Sequence, residues 1–392
     1  MTTSTHHRSR LLFAGAAAIV AAPFALHAGA EASAFTDEAH APPPADFKRI
    51  WDMFTLYENA ENPILQEFAI TGRYQGQYYS VDSNQGSDDD WENRRFRLGV
   101  KAMLFQDFEV AAEMFGDLNS GGDFYEGLTA AYIAWKPDEA FVLTLGKQKP
   151  KFSLDWSTSS REILTFERNI LINNFGLDYE TGISVGGKKG RWSYYGGVFS
   201  NDTGDPGDES EFGDLSGGSS YVAGIGYDLK GILPVEKSAL RLDYLHSDHD
   251  ADDDLLRKFD DSLAASLALR QGRYGLATEA LYADGDRGEA WGFYLTPSYD
   301  ITPKLQAVAR YTFASSGDDI LTAQRRYERA APGITDGGNG ETYHAGYLGL
   351  NYRIHGDKLK FMNGVEYANM NGGNDGGDFD GWTWSSGIRI YW

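Results

Sequence analysis

Two groups of basic residues carry the most specific chemistry in this chain. The first is Arg94-Arg95-Phe96-Arg97, followed by Lys101. The second lies in and just before the stretch 150–176, where Lys149, Lys151, Arg161 and Arg168 fall close together. Guanidinium and ammonium groups gathered in a narrow, water-filled site attract small anions. Rings of Arg and Lys are the usual device of anion and phosphate pores, and Arg offers two parallel donors to an oxyanion. The same cations could instead pair with carboxylates on facing positions, such as Glu109, Glu113, Glu162 and Glu279.

Strand periodicity decides which of these side chains could meet a solute. In the first group Phe96, Leu98, Val100, Ala102 and Leu104 share one parity. Arg95, Arg97, Gly99 and Lys101 share the other, so a strand with its apolar face outward turns them inward. Arg94 has the apolar parity, but at a strand end it can snorkel to the interface. The stretch 150–176 behaves unlike a solvated loop. Phe152, Leu154, Trp156, Ile163, Leu164 and Phe166 all call for burial. Between Lys147 and Phe175 the net charge is +2, in a chain whose formal charge is -22. We expect this segment to fold into a lumen and pack on its wall.

The elements that would hold these groups are strands. From residue 65 onward, segments of about ten residues alternate apolar and polar side chains. Leu240, Leu242 and Tyr244 oppose Arg241 and Asp243. Near the end, Trp382, Trp384, Ile388, Ile390 and Trp392 oppose Thr383, Ser385 and Arg389. Sixteen segments emerge, separated by fifteen connections in which short and long alternate. The short ones are near 106–107, 137–139, 188–190, 230–237, 271–272, 301–302 and 355–357. The other eight are mostly longer: 82–90, 118–123, 150–176, 201–218, 248–257, 284–287, 315–340 and 370–380. This asymmetry is that of an outer-membrane barrel, with tight turns at one rim and loops at the other. The expected fold is all-β: a transmembrane, antiparallel, up-and-down barrel of about 16 strands over residues 65–392. Aromatic residues toward the strand ends would form the interfacial girdles.

Composition supports this reading. The chain has 46 Gly, 12 Pro and no Cys, with 9 Trp, 23 Tyr and 22 Phe. The missing cysteines rule out a thiol nucleophile, a thiolate metal site and disulfides. The acidic balance argues against nucleic acid as a partner. Residues 1–30 read as a secretory signal, with Arg8 and Arg10 before the apolar stretch Leu11–Leu26 and small residues at Ala28-Gly29-Ala30. Residues 31–64 would be a linker and a short amphipathic helix over 46–58, built on Phe47, Ile50, Phe54 and Tyr57. The alternative architecture is a soluble, secreted β-sandwich of lectin type.

Arg94-Arg95-Phe96-Arg97-Leu98-Gly99 resembles the Arg-Arg-x-Arg-Leu-Gly strand of the phosphate-selective porin O and P family. Gly146-Lys147-Gln148-Lys149-Pro150-Lys151-Phe152-Ser153-Leu154, with Thr158-Ser159-Ser160-Arg161 and Phe166-Glu167-Arg168-Asn169, resembles that family's inward-folded third loop. The resemblance implies a homotrimer in the bacterial outer membrane, embedded in its lipid, conducting small anionic solutes past a constriction at the third loop. By position, Arg94 and Arg95 match the paired strand arginines, and Arg161 stands where some members have a lysine. The terminal Trp392 resembles the end signal read by the barrel-assembly machinery. The constriction would then draw on Arg94, Arg95, Arg97, Lys101, Lys149, Lys151, Arg161 and Arg168. No dense ladder of inward arginines along one wall is legible, and the external loops are acidic, so mild anion preference is expected.

Other motifs are weaker. Asp88-Asp89-Asp90, Asp202 to Glu211, Asp248 to Asp254 and the run 372–380 are rich in carboxylates. Solvated loops explain them better than a Ca²⁺ site. His246 and His249 lack a shared face for a metal. For an outer-membrane hydrolase, His344 is the central-strand candidate, but its parity points to lipid or a subunit interface. No cofactor, no metal and no enzymatic activity are expected.

Overall fold

The computed structural model describes residues 45–392, apart from 120–123, 177, 203–210, 214–217, 230, 249–258, 287, 318, 323–338 and 373–377. The assigned signal, most of the linker, His249 and much of the acidic loops lie outside the described residues. Sixteen long strands form a closed antiparallel barrel. They are β1 (Leu65–Ser83), β2 (Gly86–Leu104), β3 (Phe108–Gly116), β4 (Tyr125–Asp138), β5 (Phe141–Gln148), β6 (Glu180–Lys189), β7 (Trp192–Ser200) and β8 (Ser219–Tyr227). The second half comprises β9 (Lys237–Asp248), β10 (Asp261–Gln271), β11 (Tyr274–Gly285), β12 (Gly288–Asp300), β13 (Leu305–Ser316), β14 (Thr342–His355), β15 (Leu359–Asn371) and β16 (Phe379–Tyr391). Each strand pairs with its chain neighbours, and β16 closes on β1 from Tyr391↔Arg73 to Gly381↔Ser83. Closure leaves no edge whose amides would face hydrocarbon unbonded.

The polarity of the wall is inverted relative to a soluble protein. On β9 Leu240, Leu242 and Tyr244 are exposed at 39%, 57% and 40%, while Arg241 and Asp243 are buried. Apolar side chains meet lipid, and polar ones fill the interior. The tight turns gather at one rim, where Gln106, Gly190, Gly272 and Gly356 take positive φ. Two-residue hairpins need that conformation to match the strand twist.

Two expectations are corrected. The first connection is not a loop over 82–90. β1 and β2 continue as a hairpin to a turn at Asn84-Gln85, so Asp88, Asp89 and Asp90 stand on β2. There the hydroxyls of Tyr79 and Tyr78 donate to Asp88 and Asp89, and cross-strand pairing carries the ladder outward. Nor is 46–58 one helix. Helix α1 covers Ala45–Asp52, and Thr55–Glu58 forms a short strand on the edge of β1. The barrel's free backbone near Ala69 takes the chain in extended form, since Ile70 N–H donates to Phe54 O at 2.8 Å. This segment caps the closing seam: Trp51 Nε1 donates to Tyr391 O at 2.6 Å, and Phe54 stacks on Trp392 at 5.1 Å.

The third long connection, 149–179, folds into the barrel as expected and supplies its internal core. Two short helices, α2 (Leu154–Ser157) and α3 (Ile170–Phe175), are capped by Ser153 and Asn169. Phe152, Leu154, Ile170, Leu171 and Phe175 pack on Ala264, Ala268, Ala277, Ala283 and Ala290 of β10–β12. Small wall residues make this approach possible. A Cβ at Gly292 would collide with the Leu171 side chain.

Candidate pore constriction

The inward loop sets the geometry of the lumen, and three kinds of contact hold it. The first is the dry alanine patch just described. The second is a carboxylate cap: Glu279 on β11 accepts from Ser153 Oγ at 2.8 Å and Leu154 N–H at 2.6 Å. Glu279 therefore binds loop donors and is not a partner for the predicted cations. The third is a set of wall cations aimed at loop carbonyls. Arg389 donates to Phe166 O at 2.5 Å, Lys360 to Ile163 O at 3.2 Å, and Arg310 to Glu167 O at 2.8 Å. Gln75 and Asn351 add bonds to Ser160 O and Leu164 O.

Those wall cations correct one expectation. Arg95, Gln75, Arg389, Lys360 and Arg353 are successive cross-strand partners on β2, β1, β16, β15 and β14. A basic row does run along one wall. Arg389, Lys360 and Arg353 each stand alone as the Arg or Lys residue of their strands, and only register aligns them with Arg95. The inward parity of Arg95 and Arg389 is readable residue by residue; the adjacency of Arg95, Arg389, Lys360 and Arg353 is not.

Arg94 is the second correction. It is not at a snorkelling position. β2 bulges there, because Gln75 pairs with Arg95 while Gly76 pairs with Asn93. The extra residue shifts the parity. Glu92, Arg95 and Arg97 are buried, while Trp91 and Leu98 face outward. Arg94 reaches Glu167 of the loop through two bonds, Nε to Oε1 at 2.5 Å and Nη2 to Oε2 at 2.7 Å. Arg95 lies 3.5 Å from the same carboxylate. Burial raises the pKa of the Glu167 carboxyl, but Arg94 and Arg95 outweigh it and hold that carboxyl well below the usual carboxylate range.

Between the loop and the β2–β5 wall lies a cavity of about 490 Å³. Arg94, Arg95, Arg97 and Arg168 line it, together with Lys147, which lies outside the expected constriction set. Phe115, Trp156 and Tyr179 supply an aromatic side, and Glu126, Asp178 and Glu211 supply carboxylates. The cations are internally braced. Arg97 donates to Glu113 at 3.2 Å and to the Tyr179 hydroxyl at 2.8 Å. Arg168 lies over Trp156 at 5.3 Å and donates to Thr158 O at 2.7 Å.

The other predicted residues lie elsewhere. Lys101 is four residues along β2 from Arg97, roughly 13 Å away, between Glu67 and Glu109. Arg161 sits 3.7 Å from Glu113 and over the Tyr391 ring. Lys149 packs on Trp156 at 4.9 Å, and Lys151 on Tyr195 at 5.5 Å. The ion-pairing alternative thus describes much of the site, through Glu113, Glu109 and the unforeseen Glu167. The loop's inward path brings Glu167 to Arg94, and its sequence position gave no sign of it.

The sequence also contains one G-x-S-x-G spacing, Gly182-Ile183-Ser184-Val185-Gly186. It lies within the straight strand β6, where Ser184 Oγ donates to Gln148 Oε1 at 2.7 Å. A nucleophile elbow requires a sharp strand-to-helix turn. His344 is on the outer face as expected, at 2.8 Å from the Tyr311 hydroxyl.

A family model described as phosphate-selective porin O and P matches residues 68–372. The chain belongs to that family. It is a channel-forming porin of the bacterial outer membrane, and the soluble sandwich is set aside. Among solved structures, an anion-selective porin from Comamonas acidovorans aligns with a TM-score of 0.58 at 12% identity, over 83% of this chain and 99% of that one. OprB from Pseudomonas putida aligns with a TM-score of 0.59 at 14% identity, over 83% and 94%. A loop-deletion form of OmpT, an outer-membrane protein of Vibrio cholerae, aligns with a TM-score of 0.54 at 13% identity, over 83% and 99%. These likenesses are of fold. No curated protein sequence matches the chain.

Proposed function

We propose that this porin passes small anions in preference to cations, through the cavity between the inward loop and the β2–β5 wall. The observation that carries this reading is the convergence of Arg94, Arg95, Arg97, Lys147 and Arg168 on one water-accessible space. Arg353, Lys360 and Arg389 of β14–β16 continue this basic wall across Gln75 of β1. Three lining carboxylates moderate the field, so the preference is mild. Acidic groups at the mouth act over a shorter range, because exposed charges are screened beyond roughly 8 Å at physiological salt. The aromatic side and the size of the cavity suit organic anions as well as inorganic ones. In this reading the protein works as a homotrimer, Trp392 serves the barrel-assembly machinery, and diffusion proceeds without catalysis.

The test is a planar-bilayer recording of the purified, folded protein in a KCl gradient. Stepwise ohmic conductance with a reversal potential on the chloride side is expected. A strongly potassium-selective reversal would show that the internal pairs consume the arginines' charge, and would end the anion reading.

A further inference from the structure

Glu211 comes from the connection between β7 and β8, which the barrel topology places at the external rim, yet its side chain enters the lumen. Its carboxylate Oε1 accepts the Leu128 N–H at 2.5 Å. The Tyr125 hydroxyl lies near the same carboxylate. The Lys147 ammonium lies 4.0 Å from Oε1 and donates to the Glu211 main-chain oxygen at 2.6 Å. Lys147 is buried to 4% exposure. The Leu128 amide is available because β4 is irregular there: Glu113 pairs with Ala130 and Met114 with Leu128, and Gly127 takes φ 107°. A bulge of this kind releases a ladder N–H. One backbone N–H donor, a neighbouring hydroxyl and an ammonium at 4.0 Å therefore surround one carboxylate, at the edge of the cavity lined by Arg94, Arg95, Arg97 and Arg168.

We propose that Leu128 N–H, the Tyr125 hydroxyl and Lys147 form a carboxylate-binding site in the pore wall, filled by Glu211 as a tethered occupant that monocarboxylate solutes displace. The chemistry of the occupant defines the class of solute. The same N–H, hydroxyl and ammonium can serve the carboxylate of a short aliphatic acid, with the Lys147 ammonium turning from the Glu211 main-chain oxygen to the solute. The adjacent Phe115, Trp156 and Tyr179 offer its alkyl part an apolar surface. Tethering explains how the site stays filled in the absence of solute, since a linked group acts at an effective concentration near the millimolar range. The site deepens the anion-permeation reading and rests on it.

The experiment measures block of chloride current by butyrate in wild type, Glu211→Ala, and Glu211→Ala combined with Lys147→Met. Heat-modifiability checks that each barrel is folded. Removing the tethered carboxylate should lower the half-blocking butyrate concentration on the order of tenfold. The added Lys147→Met change should abolish that gain. If Glu211→Ala leaves butyrate block unchanged, or if the gain survives without Lys147, the proposal is overturned. In the latter case Glu211 contributes charge alone. A wild-type channel that is not anion-leaning would instead refute the permeation reading, and the comparison of butyrate block between variants would still judge this site.

Discussion

The inward loop faces two walls of opposite character. On the β10–β12 side, Ala264, Ala268, Ala277 and Gly292 allow α3 to press against the sheet, and the contact is dry. On the β2–β5 side, the loop stands off and leaves a cavity of about 490 Å³ edged by charge. One segment is fixed by close packing on one flank and lines a passage on the other. The difference teaches that the constriction's position comes from the small residues of the far wall, while its electrostatics come from the near wall and from Glu167. Geometry and selectivity are set by separate residues, so each can be altered alone.

The largest effect should follow from the near wall. Arg94→Gln with Arg95→Gln removes two of the cations that hold a buried Glu167. Breaking a buried pair in this way typically costs about 3–5 kcal/mol, and here the loop segment Phe166–Arg168 would absorb it. Reversal potentials in a KCl gradient should move toward potassium, with noisier single-channel steps. A double variant with the wild-type reversal potential would show that the cavity does not carry the current.

A smaller effect is expected from the far wall. Gly292→Leu places a side chain where Leu171 lies, and overpacking of this kind costs about 1–3 kcal/mol. The heat-modification temperature should fall and the conductance should change, while the ratio of chloride to potassium permeability holds. A change in that ratio as large as the one from the arginine pair would dissolve the distinction between the two walls.

The smallest effect concerns pH. Glu167 lies in the loop, and its carboxyl is held well below the usual range because its arginines outweigh burial. A depressed folded value contributes stability that is full above the ordinary Glu value, about 4.3, and is lost as pH falls from there through the folded value. Selectivity should therefore stay flat between pH 7 and pH 5 as far as Glu167 is concerned. Glu167→Gln should raise anion preference at both pH values equally. A wild-type drift toward anions over that interval, absent from Glu167→Gln, would show that Glu167 titrates there and that its arginine partners do not hold it.

What the sequence determined by itself was whatever depends on local periodicity. The inverted alternation of β9 and β16, the sixteen strands and the burial demanded by Phe152, Leu154 and Trp156 all follow from side-chain type at a spacing of two. The inward direction of Arg95 and Arg97 follows from it too. Tertiary structure decided what depends on register. A single bulge at Arg94 turned it from the lipid parity to Glu167, because one extra residue exchanges the faces of a strand. Arg95, Arg389, Lys360 and Arg353 form a row only because five strands, from both ends of the chain, close at one seam. Glu211 meets Lys147 across 64 positions, joined by a loop whose path no periodicity encodes. Alternation is a property of one strand; adjacency is a property of the closed sheet.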